Sequence, residues 1–342
     1  MIENMRNTIS HMSRRNILVL SIVFLAALGG TFLVAQSFAD SYLADAETEN
    51  GVLTPGATIT PDSNASAGKA VRFQGDSNPS GWTPLRPGVT WQWQLTGTVN
   101  ETVLDGTSGP KMYDIDMENA TPALINRLKA KDIYVVCYVE SGDWNNGRSD
   151  AGDYAPAILG KNIDGFPDEK FVNIKAIDSP AGPTGKTLRQ IMMARLDSAQ
   201  AKGCDGVEPD LDDLHTYSTG FTIKQADQVA FNTMMIKAAH DRGMSMGLKN
   251  GADPDGTFDQ EMVAAGADWA LNEECNQYDE CGGYAAFITA SRAVFQVEYQ
   301  DNQSKPYGGT TGTCAKNNAA NFDGIVKDSS SSLAALPLIH CR

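Results

Sequence analysis

From Pro84 to the C-terminus, short apolar runs alternate with longer amphipathic ones. Trp91–Leu95 alternates large apolar residues with Gln and predicts a first strand. Ile133–Val139 is a continuous apolar run of the kind a strand buried on both faces shows, with Glu140 at its exit. Phe171–Ile174, Asp205–Glu208, Met244–Leu248, Trp269–Asn272, Ala293–Tyr299 and Gly324–Val326 bring the expected strands to eight. Helical patterns separate most of them. Thr121–Lys131 carries a Thr cap and a Pro in its first turn. Leu188–Lys202 stops at Gly203, Lys224–Arg242 stops at Gly243, and shorter helices are expected ending at Gly266 and over Ala285–Ser291. Strands joined by helical crossovers must run parallel. The stretch has the usual size of a (β/α)8 TIM barrel, roughly 250 residues. An open doubly wound sheet, the other α/β solution, predicts a Gly-x-Gly-x-x-Gly turn after the first strand, and none is present there.

The residues before Pro84 have a different texture. Segment 1–39 has a basic start (Arg6, Arg14, Arg15), a 19-residue apolar or small run from Ile17 to Ala35, and small residues at Ser37 and Ala39. It predicts a signal peptide, with Ser13-Arg14-Arg15 resembling a twin-arginine signal. The run is also long enough for a membrane tether through residues 17–35, the competing expectation. Segment 40–83 is rich in Ala, Thr, Ser, Pro, Gly and Asp, shows no sustained period, and reads as a disordered linker. The folded domain is then 84–342, secreted or held at the outer cell surface.

Charge and cysteines sharpen this. The net charge is −15, and loss of residues 1–39 leaves about −17, a poor partner for nucleic acid phosphates and a good one for a polycation. Six cysteines suit an oxidising compartment. Cys275 with Cys281, and Cys314 with Cys341, are natural pairs. Cys137 and Cys204 fall at strand positions and read as buried thiols. Four histidines, no zinc spacing and no Gly-x-Ser-x-Gly elbow argue against a catalytic metal or a serine triad, and no cofactor is implied.

The chemistry concentrates at strand ends. Glu140, Glu208, Asp210, Lys249, Glu273 and Glu298 all fall on the side where a barrel builds its active site. Glu208 and Asp210 are two apart on a strand and share a face. Lys249 arrives from the next strand and is placed to hold one of them as an anion. Glu273 and Glu274 are consecutive, so only one faces the site, and strand phase alone does not choose between them. Two carboxyls delivered by different strands are what glycoside hydrolysis requires: one to protonate the leaving oxygen, one to attack the sugar or activate water. Asp212, Asp213 and His215 read as loop residues and His240 as structural. Among aromatic residues near strand ends, Trp91 and Trp93 suit barrel packing, whereas Tyr138, Trp144, Tyr278 and Tyr299 suit sugar faces.

In order along the chain, several pieces resemble the endo-α-1,4-polygalactosaminidases, glycoside hydrolase family 114. They are Trp93-Gln94-Leu95, Tyr113-Asp114-Ile115-Asp116, Val136-Cys137-Tyr138, Arg148-Ser149-Asp150-Ala151, Gly203-Cys204-Asp205-Gly206-Val207-Glu208-Pro209-Asp210, Gly247-Leu248-Lys249-Asn250, Asn272-Glu273-Glu274-Cys275 and Val297-Glu298-Tyr299. The resemblance implies a TIM barrel that cuts α-1,4-linked galactosamine polymers internally by a retaining mechanism. It implies Asp210 as nucleophile after the fourth strand and Glu273 as acid/base after the sixth. Glu208, Asp213, Lys249, Asn250 and Glu298 would shape the site, Asp114 and Asp116 would follow the first strand and bind the amino sugar, and Tyr138, Trp144, Glu274 and Tyr299 would complete the substrate contacts. The expected partner is a cationic amino-sugar polysaccharide, and the expected state a monomer. The chain departs from the family at Leu211, where Asn is usual, at Glu140-Ser141-Gly142, where Ser-Ala-Gly is common, and at Asn173, where Asp is common. A non-catalytic carbohydrate-binding protein on the same barrel is the alternative that Leu211 suggests.

Overall fold

The computed structural model describes residues 57–61, 69–73, 81–101, 109–253, 255–300, 312–328, 333–334 and 338–342. The expected signal or tether, and most of the expected linker, lie outside the described residues. Among the described residues no helix is long and apolar enough to cross a membrane. Contacts divide the chain into two units, Met1–Ser77 and Asn78–Arg342. In the first, β1 (Ala57–Pro61) and β2 (Lys69–Phe73) pair antiparallel. Two five-residue runs within the expected linker, too short to show a period in the sequence, make this pair.

The second unit is built on eight parallel strands: β3 (Trp91–Gln94), β4 (Met112–Asp116), β5 (Tyr134–Glu140), β9 (Gly206–Asp210), β10 (Ser245–Lys249), β11 (Trp269–Glu273), β12 (Val294–Tyr299) and β13 (Asp323–Lys327). A last strand, β14 (Leu338–His340), runs antiparallel to β13. Between β5 and β9 the chain inserts a small antiparallel sheet of β6 (Asp143–Asn145), β7 (Leu159–Ile163) and β8 (Phe166–Val172). Side chains span the seam between β3 and β13. The Trp91 indole donates to the Asp323 carbonyl (2.7 Å), and Lys327 Nζ donates to the Trp93 carbonyl (2.9 Å).

The crossover helices are α1 (Pro122–Lys129), α2 (Leu188–Lys202), α3 (Gln225–His240), α4 (Thr257–Ala265), α5 (Cys275–Tyr278), α6 (Ala285–Thr289) and α7 (Thr313–Ala320). The cap signals hold. Thr121 Oγ1 accepts from Leu124 N, and Gly203 ends α2 in the left-handed region at φ 96°. Outward strand residues such as Val135, Cys137, Val207, Met246, Leu248 and Val294 pack under these helices. Inward residues, including Trp91, Trp93, Met112, Trp269, Leu271 and Phe295, fill the barrel itself. Gly247 is small because the Trp269 ring occupies the space a Cβ would need, 2.3 Å away.

Two strand expectations change places. Phe171–Ile174 contributes to β8 of the insert, not to the barrel, because Phe171 and Val172 turn into the outer core. Met112–Asp116 is the second barrel strand, so Asp114 and Asp116 lie on that strand and do not merely follow the first. Its lumen face carries carboxylates, which hides it from a search for apolar runs. The cysteine expectation also changes. Cys275–Cys281 and Cys314–Cys341 pair, and Cys137 and Cys204 are joined too, with Cα atoms 6.0 Å apart. That bond ties the outer face of β5 to the turn before β9 and closes a separation of 67 residues. Loop entropy alone assigns such a closure about 4 kcal/mol.

Candidate active site

Alternation along each parallel strand stacks the lumen in layers. On β11 the inward residues are Trp269, Leu271 and Glu273, and on β10 they are Ser245, Gly247 and Lys249. On β9 they are Gly206, Glu208 and Asp210. The lower layers are packing, and the top layer is charged.

Lys249 is the hub of that layer. Its Nζ lies 3.1 Å from Asp210 Oδ1, 3.0 Å from Glu273 Oε2 and 3.5 Å from Glu208 Oε1, and stands over the Trp93 ring. Burial works against the ammonium, but Asp210, Glu273 and Glu208 together outweigh it and hold the charge. Asp210 Oδ2 also accepts from the Tyr138 hydroxyl at 2.7 Å. Burial pushes the Asp210 carboxyl up, yet Lys249 and the Tyr138 hydrogen bond prevail, and its pKa falls below the usual range. Glu273 Oε1 accepts from the Tyr299 hydroxyl at 2.6 Å, and Asn250 Oδ1 accepts from the Glu273 backbone N–H at 2.9 Å. Because one nitrogen touches both, Asp210 Oδ1 and Glu273 Oε2 are no more than about 6.1 Å apart, within reach of the roughly 5–5.5 Å separation of retaining glycosidases.

Beneath them, Glu208 Oε2 accepts from the Trp93 indole at 2.9 Å. Both Asp114 oxygens and Glu208 Oε1 are buried without a donor when both groups are ionised. A single proton between the two groups relieves this in part. Burial, then the Glu208 charge, raises Asp114 well above the carboxylate range, so Asp114 keeps its proton and donates to Glu208. Glu208 is itself pushed up to about 7 by burial, against the pull of Lys249. Asp213, buried, is likewise raised to about 7 by burial and Asp210, and Asp212 accepts from the Lys249 backbone N–H.

The structure thus brings together Asp210, Glu273, Lys249, Asn250, Tyr138, Tyr299, Glu208, Asp114 and Asp213. It does not bring the others. Glu298 points outward from β12, where it accepts from Asn276 N (2.9 Å) and Gln296 Nε2 (2.7 Å). Glu274 follows the strand in a left-handed conformation (φ 62°), its charge beside Glu298. Glu273 is therefore the member of the pair that faces the cluster. Asp116 reaches the rim but is bound by Arg148 (2.6 Å) and by Asn119 N. Trp144 lies on the face of β6 opposite Asp143, its indole bonded to the Ala151 carbonyl and its ring capped by Lys170. His240 stacks on Trp82 and bonds Asp268, a structural role.

Tyr217 was not singled out in the sequence. It is 42% exposed, packs on Phe171, and its hydroxyl is raised by Asp213, then by burial and Asp210. It stands at the cleft mouth on an irregular loop, where no periodicity marks it. Leu211, after Asp210, has φ 53°. Asn tolerates that region better than Leu, which explains the family's usual residue there. The Leu211 side chain packs on the outer core.

The profile of the glycoside-hydrolase family GH114 matches residues 73–337. Among solved structures, Aspergillus fumigatus Ega3 in complex with galactosamine is similar at 32% identity and a TM-score of 0.62, covering 75% of this chain and 96% of that one. The glycoside hydrolase domain of PelA from Pseudomonas aeruginosa, at 11% identity, TM-score 0.50 and 70% and 95% coverage, shares the fold. Among curated proteins none matches the chain significantly.

Proposed function

The chain belongs to glycoside hydrolase family GH114 and is a glycosidase; we propose that it cuts α-1,4-galactosaminidic bonds inside a galactosamine-containing polysaccharide, with retention of configuration. The observation that carries the reading is the single lysine shared by Asp210 and Glu273. Asp210, kept ionised by Lys249 and Tyr138, attacks the anomeric carbon as the bond to the leaving oxygen breaks. Glu273 gives its proton to that oxygen. A water then loses a proton to Glu273, bonds to the anomeric carbon, and releases Asp210. The acid step needs a proton on Glu273. Lys249 has Glu208 and Asp210 to hold as well, so withdrawing it from Glu273 when a sugar enters leaves its charge compensated.

The substrate class rests on two supports. The net charge of −15 draws a polycation, and the relative at 32% identity was solved with galactosamine. Three disulfides suit a secreted or surface-held enzyme.

The test is release of reducing ends from de-N-acetylated α-1,4-galactosamine polymer by wild type, Asp210→Asn and Glu273→Gln. Wild-type activity with losses of at least about 10³-fold in both variants is expected. Binding of polymer by wild type without new reducing ends would sink the reading for this substrate.

A further inference from the structure

Beside the cleft, three carboxylates meet that the proposed reaction does not use. Glu140 ends barrel strand β5, Asp143 opens β6, and Glu169 lies in β8, where its neighbour across the ladder is Asn145. One oxygen from each lies within 4.8 Å of the other two. Asp143 is 1% exposed. Its Oδ1, like Glu140 Oε2, is closed to water and receives no hydrogen bond.

The surrounding cations are committed elsewhere. Arg148 binds Asp116 (2.6 Å) and Glu140 Oε1 (2.8 Å). Arg195 binds Asp150 (2.7 Å) and the Glu140 carbonyl, and stays 3.9 Å from Glu140 Oε2. Asp116, Glu140 and Asp150 therefore share two guanidiniums. Among the described residues Asp143 and Glu169 pair with none, and Glu169 accepts from the Asn145 amide (2.9 Å). Two buried or half-buried carboxylates are left with only the more distant fields of Arg195 and Arg148, which repulsion and burial outweigh, an arrangement that is costly unless a cation or protons enter.

We propose that Glu140, Asp143 and Glu169 hold one hard divalent cation, with calcium the best fit, which pins the β6–β8 insert to barrel strand β5 next to Asp210. The donors are all oxygen, with no His or Cys, which selects against zinc and copper. Calcium accepts irregular carboxylate sets at 2.3–2.6 Å, whereas magnesium keeps several waters, which oxygens closed to solvent leave little room for. A sugar ammonium carries a carbon that must enter with it, and Asp143 Oδ1 and Glu140 Oε2 present no open surface to it. A bare ion lies between the oxygens without that opening. The site is independent of the proposed reaction.

The test uses the whole protein, freed of metal with EDTA, at pH 7.5. Thermal unfolding and titration calorimetry are run with calcium chloride on wild type, Asp143→Asn and Glu169→Gln. At 5 mM calcium a rise in wild-type Tm of roughly 3–8 °C is expected, from the affinities of extracellular calcium modules. Both variants lose the rise and the binding heat. In metal-free buffer Asp143→Asn melts above wild type, because a repelling charge is gone. Glu169→Gln, at a half-buried position, keeps the test open should Asp143→Asn fail to fold. A wild type indifferent to calcium and to EDTA would overturn the proposal, leaving protons as the neutralising partner. So would a calcium response that persists in both variants, since the ion would then bind elsewhere.

Discussion

The lower and upper layers of the barrel lumen are made by the same alternation and held together by different physics. Below, Trp91, Trp269 and Phe295 fill the space with apolar volume, and the polar atoms there are few and locally bonded, as when the Trp269 indole donates to Ser245 Oγ. Above, carboxyls from Asp210, Glu273 and Glu208 surround one lysine, with Asp114 beside Glu208, and the lysine and one retained proton offset only part of their charge. The lower layer is indifferent to pH and sensitive to volume. The upper layer is the reverse. Height along a strand, not hydrophobicity pattern, separates packing from chemistry.

Lys249→Met should break the comparison most severely. Activity per folded molecule is expected to fall about 10³-fold or more, since the charge that organises both candidate catalytic carboxyls is lost. At pH 7 stability should fall by about 3 kcal/mol, and it should recover towards pH 5. The sign follows from the carboxyls. Without the lysine their folded pKa values rise above the unfolded ones, so their contribution is greatest in acid and is lost as pH climbs. Urea melts at the two pH values check this, and an equal loss at both would contradict it. Trp269→Ala is the matching change one layer down. It should cost about 4 kcal/mol at either pH by emptying a packed volume, while kcat of the folded fraction stays within about threefold of wild type. A pH-dependent loss there would erase the distinction between the layers. The smallest change lies at the junction. Leu211→Asn relieves a left-handed backbone and should stabilise by about 0.5–1 kcal/mol, less whatever the lost Leu packing costs. Denaturant midpoints resolve it, and clear destabilisation would show that Leu211 serves the outer core more than it strains the loop.

The sequence carried most of this and concealed particular parts. Asp210 and Lys249 were legible because each ends a recognisable strand, whereas Glu273 was separated from Glu274 only by the family resemblance, since strand phase does not choose between them. Glu298 misled because Val294–Tyr299 is buried on both faces, so hydrophobicity gives no phase. Alternation along the strand turns Tyr299 inward and Glu298 out. Met112–Asp116 was hidden by its own lumen carboxylates, and the Asp114–Glu208 contact by the absence of any sequence signal that side chains of β4 and β9, with β5 between them, meet in the lumen. Cys137 and Cys204 stand 67 residues apart, and only the adjacency of β5 and β9 brings them together. The Glu140, Asp143 and Glu169 cluster depends on how the insert sheet folds back on β5, which residue spacing does not disclose.

The central claim is that Asp210 and Glu273, gathered by one lysine, act as a closely spaced catalytic pair. The most direct test follows the anomeric configuration of the first-formed product by proton NMR during cleavage of an α-1,4-galactosamine oligomer. The account predicts that the α-anomer appears first and then mutarotates, the result of double displacement at Asp210. Initial release of the β-anomer would require a water between the two carboxyls and a separation of roughly 6.5–9.5 Å, and would contradict the arrangement described.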